Sequence, residues 1–232
     1  MKYLFIFILF NFIQNSFAQF AIISDKDGFV NIRSEPNKTS KIVGKIEDGT
    51  VFYIFQYEPN KSDWISFSCL EESCKIVGYV HKSRVKLVSQ FEKIDIKSDN
   101  EQEIVFEKDS VKVNIVLEDF NKKAHDFTYS KDSNFIEKID GENFWGTDGG
   151  IPKKQYRSVE IEIGQSKIFI PLKGLKNLFN PNMHNPFTEV NIFRQKNILY
   201  ISCGNGDGAG GYDLLWIIEK GKYKNRFIEF GF

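Results

Sequence analysis

The chain has 232 residues, 41% of them apolar and 15% aromatic, and its 31 basic and 31 acidic side chains cancel to a formal net charge of zero. That length allows one large domain or two small ones with real cores, and the charge balance, without Lys/Arg clusters, excludes a nucleic-acid binder. The 23 Phe and the many β-branched residues favour strands, so a mainly β chain is expected.

The N-terminus reads as an export signal. Lys2 precedes the apolar run "YLFIFILFNFI", and Ser16 and Ala18 stand at the −3 and −1 positions of a cleavage site. The run is shorter than the about 20 residues that span a bilayer. A signal peptide over 1–18, a mature chain starting near Gln19, and a periplasmic or secreted location are therefore expected, with no membrane-spanning segment after cleavage.

Strands and turns then alternate quickly. In "GFVNIRSEPNKTSKIVGKIEDGTVFYIFQ", Val30 alternates with Ile32, and Val51 with Tyr53 and Phe55, while "SEPNKTS" and "EDG" carry turn residues. "SDWISFS" and "KIVGYVHKSRVKLV" complete about five short strands, the pattern of a small barrel over 20–88. Cys69 and Cys74 flank "LEES" in what reads as a hairpin, and an exported chain can bridge them.

The segment resembles the bacterial SH3 (SH3b) domain family in Gly28, "VNIRSEP", "SKIVGKIEDG", Trp64 and "GYVHKS". The resemblance covers roughly 70 residues and implies an SH3-like barrel. Many such domains are exported and attach to the cell wall or to a neighbouring domain, which implies a cell-wall peptide or an envelope protein as partner. The aromatic residues Phe29, Tyr53, Trp64 and Tyr79, with Arg33 beside them, are the candidate binding surface, although a barrel this small needs most aromatics for its core.

The polar stretch 89–103 shows no clear period and reads as a linker, so two independently folding domains are expected. Beyond it, 104–232 reads as an antiparallel β-rich domain with one short helix. Val111, Val113, Ile115 and Leu117 alternate, and "SVEIEIGQSKIFI" is a hairpin turning at Gly164-Gln165. A short helix follows Pro171 and stops before Pro181. "LLWII" is apolar on both faces, as a central strand should be, and the last two strands turn at Lys220-Gly221. "WGTDGGIP" and "GDGAGGYDLLWIIEKGKY" resemble segments of uncharacterised exported bacterial proteins, which implies no activity.

The loop "GNGDGAGGYD" decides whether this half has chemistry. Gly206, Gly208 and Gly211 satisfy G-x-G-x-x-G, but a strand follows where a dinucleotide site needs a helix. The Lys-Ser/Thr of a phosphate loop and the closing Glu of a calcium loop are both missing. Asp148 lies in a second glycine-rich loop. Asp148, Asp207 and Asp213 either meet as a carboxylate site or each cap their own turn. Trp145 and Tyr212 are expected at the surface as a carbohydrate-type platform, and Trp216 in the core. Cys203 ends an apolar strand and reads as a buried free thiol, with no histidine at catalytic spacing.

The reading is an exported, non-enzymatic binding protein with no cofactor and no metal. Its rivals are an envelope hydrolase using Asp148 with Asp207 or Asp213, and an inhibitor of a foreign enzyme. Mass spectrometry of the protein from its native host should place its first residue at or near Gln19; intact Met1 in a soluble cytoplasmic fraction would contradict export.

Overall fold

A computed structural model describes residues 19–56, 61–71, 74–131, 133–184, 186–206 and 208–231. The proposed signal segment 1–18 and Asp207 lie outside the described residues.

In chain order the strands are β1 Gln19–Ile23, β2 Phe29–Arg33, β3 Ile42–Glu47, β4 Val51–Ile54, β5 Trp64–Ser68, β6 Val77–His81 and β7 Val85–Leu87. Then come β8 Glu92–Ile94, β9 Ile96–Asp99, β10 Glu103–Lys108, β11 Val111–Asp119, β12 Phe127–Tyr129, β13 Ile136–Ile139, β14 Lys154–Ile163 and β15 Ser166–Phe169. The one short helix, α1, is Leu172–Leu175, and β16 Thr188–Phe193, β17 Ile198–Asn205, β18 Tyr212–Glu219 and β19 Lys222–Phe230 finish the chain. The fold is mainly β, and all its strand ladders are antiparallel.

The first unit packs a three-stranded sheet, ordered β4-β1-β7, against a four-stranded sheet, ordered β3-β2-β6-β5. Its core holds Ala21, Ile23, Ile32, Phe52, Ile54, Phe67 and Val80. Cys69 and Cys74 stand at disulfide distance beside this core, with Cα atoms 5.7 Å apart, inside the range a disulfide spans. The second unit is a sandwich of two five-stranded sheets, ordered β15-β14-β11-β10-β9 and β19-β18-β17-β16-β8. The alternating Val111, Val113, Ile115 and Leu117 of β11 face Leu199, Ile201, Leu214 and Trp216 of the other sheet, the interleaving that period-two strands allow. Trp216 is fully buried and donates its indole N–H to the Gly174 carbonyl of α1 at 2.8 Å. Lys220 and Gly221 both take positive φ, 51° and 73°, as a two-residue hairpin turn requires.

Two expectations need correction. The stretch 89–103 is not a linker. It carries β8 and β9, which lie in opposite sheets of the sandwich with only Asp95 between them. Crossing from one sheet to the other resets which residues face inward, so the apolar Phe91, Ile94 and Ile96 lose strand period. The sandwich thus begins near Glu92 and not at residue 104.

Nor are the two units separate bodies. β1 and β4 are buried along both faces. Ala21, Ile23, Phe52 and Ile54 enter the first core, while Phe20, Ile22, Val51 and Tyr53 enter a third cluster with Val88, Phe91, Ile198, Tyr200, Leu215 and Ile217. The last four belong to the outer face of β17 and β18. "LLWII" is therefore apolar on both sides because one face fills the sandwich and the other is covered by the first unit. Phe91 stacks on Phe193 at 4.6 Å and on Tyr200 at 5.5 Å, and the Lys196 ammonium pairs with Asp48 across the seam.

Truncating Leu215, which is 0% exposed within this seam, to alanine should cost about 2–5 kcal/mol. In urea titrations followed by hydrogen exchange, peptides of both units should lose protection at the same lowered midpoint. A loss confined to the sandwich would show that the units unfold independently.

Candidate functional site

Where the first unit leans on the sandwich, the apolar seam gives way to an open cleft of about 1360 Å³. That volume exceeds the roughly 300–1,000 Å³ of ordinary small-molecule pockets. One wall is β1 with the end of β4 and β5, giving Gln19, Phe55, Gln56, Ser66 and Ser68. The other is the segment before β16 with the end of β17, giving Asn182, Phe187, Ser202, Gly204 and Asn205. Ser66 and Ser68 point outward because Ile65 and Phe67, alternating with them, are buried in the first core. Phe55 and Phe187 are large apolar side chains at the cleft, 53% and 51% exposed.

The floor is made by Tyr53 and Asp213. The phenol of Tyr53, on β4, donates a hydrogen bond to the Asp213 carboxylate on β18, so one pair of side chains ties the two units together. Burial, reinforced by Asp213, drives the Tyr53 phenol well above its usual range and keeps it protonated. Burial also raises the Asp213 carboxyl, against the opposing effect of the tyrosine hydrogen bond. Glu229, paired with Asp213 in the β18–β19 register, is raised by burial as well. The other carboxylate that lines the cleft among the described residues, Glu189, is matched by the Lys93 ammonium at 2.7 Å.

The glycine loop is a turn between paired strands: Asn205 of β17 stands opposite Tyr212 of β18. Its glycines serve backbone contact. The Gly146 N–H donates to the Gly210 carbonyl at 3.1 Å, and the two glycine-rich loops touch chain to chain. A Cβ on Gly146 would stand 1.9 Å from the Phe179 carbonyl oxygen, and one on Gly210 would stand 2.6 Å from the Thr147 carbonyl carbon. Gly146 also has a φ of +104°, which side chains avoid.

The expected residues separate. Tyr53 lines the cleft, buried and not on a barrel surface. Tyr212 is not exposed: it is 0% accessible and donates to the Phe179 carbonyl at 3.1 Å. Trp145 is half-buried, edge-on to Phe230 at 4.9 Å. These two rings therefore make no open platform, because the close approach of the loops closes over Tyr212. Asp148 is exposed and outside the cleft lining, although its loop touches Gly210. In the first unit Phe29 is exposed under the Lys45 ammonium, 3.7 Å from the ring centre. Arg33 holds the Ser40 carbonyl at 2.7 Å and pairs with Tyr79 in register, and Trp64 meets His81 edge-on at 5.3 Å. None of these lines the cleft. Cys203 is buried and unbridged, and burial pushes its thiol up to about 12, which leaves no thiolate for nucleophilic attack at neutral pH. Among the described residues no group of three or more His, Cys, Asp or Glu side chains could hold a metal ion, and no helix is long and apolar enough to cross a membrane.

Sequence reasoning missed the cleft because its walls come from opposite ends of the chain. The one available signal was unbroken burial potential in "AII" and "VFYI", runs too apolar for strands with one solvated face. Comparison with family models, with curated proteins and with solved structures gave no match.

Asp213 has a direct consequence for stability. A carboxyl raised on folding adds stability below its unfolded pKa, near 4, and that contribution is lost as pH rises through the folded value. Asp213→Asn keeps an oxygen for Tyr53 and abolishes the titration. Relative to the natural protein, the variant should gain stability between pH 4 and 7 in denaturant titrations. A difference that does not change with pH would contradict the burial of this carboxylate.

Proposed function

We propose that the chain is an exported, non-enzymatic binding protein in which an SH3b-like barrel and a β-sandwich together hold a cell-envelope component or a partner protein in the cleft between them. One observation carries this reading: the cleft is walled by both units and, among the described residues, lined by hydroxyls, amides, two carboxylates and two exposed phenyl rings, with its one free thiol buried and raised to about 12. The size of the cleft suits an extended ligand. The Cys69–Cys74 pair at disulfide distance suits an oxidising compartment, as does the leader-like run before Gln19. The fused seam gives the barrel a role beyond that of a spacer, since the ligand would touch both units at once.

Ser66 is exposed on β5 and lines the cleft, so Ser66→Trp should obstruct it without entering either core. Immobilised mature protein should retain a component of an envelope extract that Ser66→Trp does not. Equal retention by both proteins, or none by the natural one, would refute a binding role for the cleft.

A further inference from the structure

We propose that the cleft recognises an organic cation, an alkylammonium group seated over Asp213 between the Phe55 and Phe187 rings. The inference rests on the cleft being the binding site and names the chemistry of what it binds.

Charge comes first. Among the described residues the lining contains two carboxylates and no Lys, Arg or His. Glu189 is neutralised by Lys93. Among the described residues Asp213 takes a side-chain hydrogen bond from the Tyr53 hydroxyl alone, a neutral donor that leaves its negative charge uncancelled. A carboxylate drawn out of water without a cation is costly unless something supplies the opposite charge. An anionic ligand would be repelled, and a neutral one would leave the charge unmatched.

Shape comes second. Gly204 lies between the carboxylate and a ring: a Cβ placed there would stand 3.2 Å from Asp213 Oδ1 and 3.8 Å from Phe187 Cδ1. A side chain there would press on the carboxylate, so the glycine keeps both Asp213 Oδ1 and the Phe187 ring edge uncovered on the cleft wall, where a methylated or methylene-bearing ammonium can meet them. Across the cleft, Phe55 stands edge-on to Tyr53 at 5.0 Å, and Tyr53 to Phe20 at 5.0 Å. Aromatic rings and a carboxylate are the combination that holds organic ammonium ions, because the ring faces carry partial negative charge. A hard metal ion is a poorer fit, since it needs several oxygen ligands and phenyl rings offer none.

Gly204 has no positive φ, so Gly204→Leu keeps a permitted backbone while covering the Asp213 carboxylate. Calorimetric titration of the mature protein would use choline, n-butylammonium and 3,3-dimethylbutan-1-ol, the last matching choline in shape but without charge. At least one ammonium should bind, the neutral isostere at least about tenfold more weakly. Asp213→Asn and Gly204→Leu should each abolish ammonium binding while melting cooperatively. Equal binding of the isostere, unchanged binding by both variants, or no binding of either ammonium at millimolar concentration would overturn the proposal. Capture of an envelope component that Ser66→Trp blocks, with neither ammonium bound, would sink the cation assignment and leave the cleft reading standing.

Discussion

Everything in this molecule depends on the burial of the outer face of β17 and β18 against β1 and β4. Ile198, Tyr200, Leu215 and Ile217 would otherwise form an apolar patch on an open sheet, the kind of surface soluble proteins avoid. Phe20, Ile22, Val51 and Tyr53 meet them, and each such side chain contributes about 1.5–3 kcal/mol when fully withdrawn from water. The central sheet is covered on both faces, giving a stack of layers in place of two domains on a tether. This contact fixes the angle between the units and hence the cleft that opens where the apolar contact ends.

At that margin the chemistry changes within a few residues. Leu214 faces the sandwich core and Leu215 the seam, but Asp213, two residues before Leu215 on the same strand face, places a carboxylate where an apolar side chain would extend the contact. Its partner Tyr53 is likewise in line with Val51 on β4. A half-buried carboxylate held, among the described residues, by a phenol alone is unfavourable for folding at neutral pH, and departures from local consistency of this kind concentrate at functional sites. Backbone-to-backbone packing at Gly146 and Gly210 anchors the turn that joins Gly204 of β17 to Asp213 of β18.

Much of the fold was legible in the residues. Alternation in β11, the glycine-led turn at Gly164 and the Lys220-Gly221 hairpin follow from local rules, and these elements stand where period and turn chemistry put them. Cys203 and Trp216 were readable as buried because each sits in an apolar run. The segment 89–103 was not readable, because a chain that changes sheets at Asp95 loses the periodicity by which strands are recognised. Tyr212 was misjudged for a related reason: its glycine neighbours suggested solvent, whereas those glycines admit another backbone that covers the ring. The cleft lay furthest from view. It joins Gln19 and Phe55 to Phe187 and Asp213, and no local pattern reports a contact between segments more than a hundred residues apart.

Crystals of the mature protein soaked in choline and, separately, in n-butylammonium would decide the ligand chemistry. The first unit should sit on β17 and β18, with an ammonium in at least one soak between Phe55 and Phe187 and within ion-pair reach of the Asp213 carboxylate. A cleft empty in both soaks beside intact, docked units would contradict the assigned ligand chemistry, and units parted at the Tyr53–Asp213 contact would contradict the cleft itself.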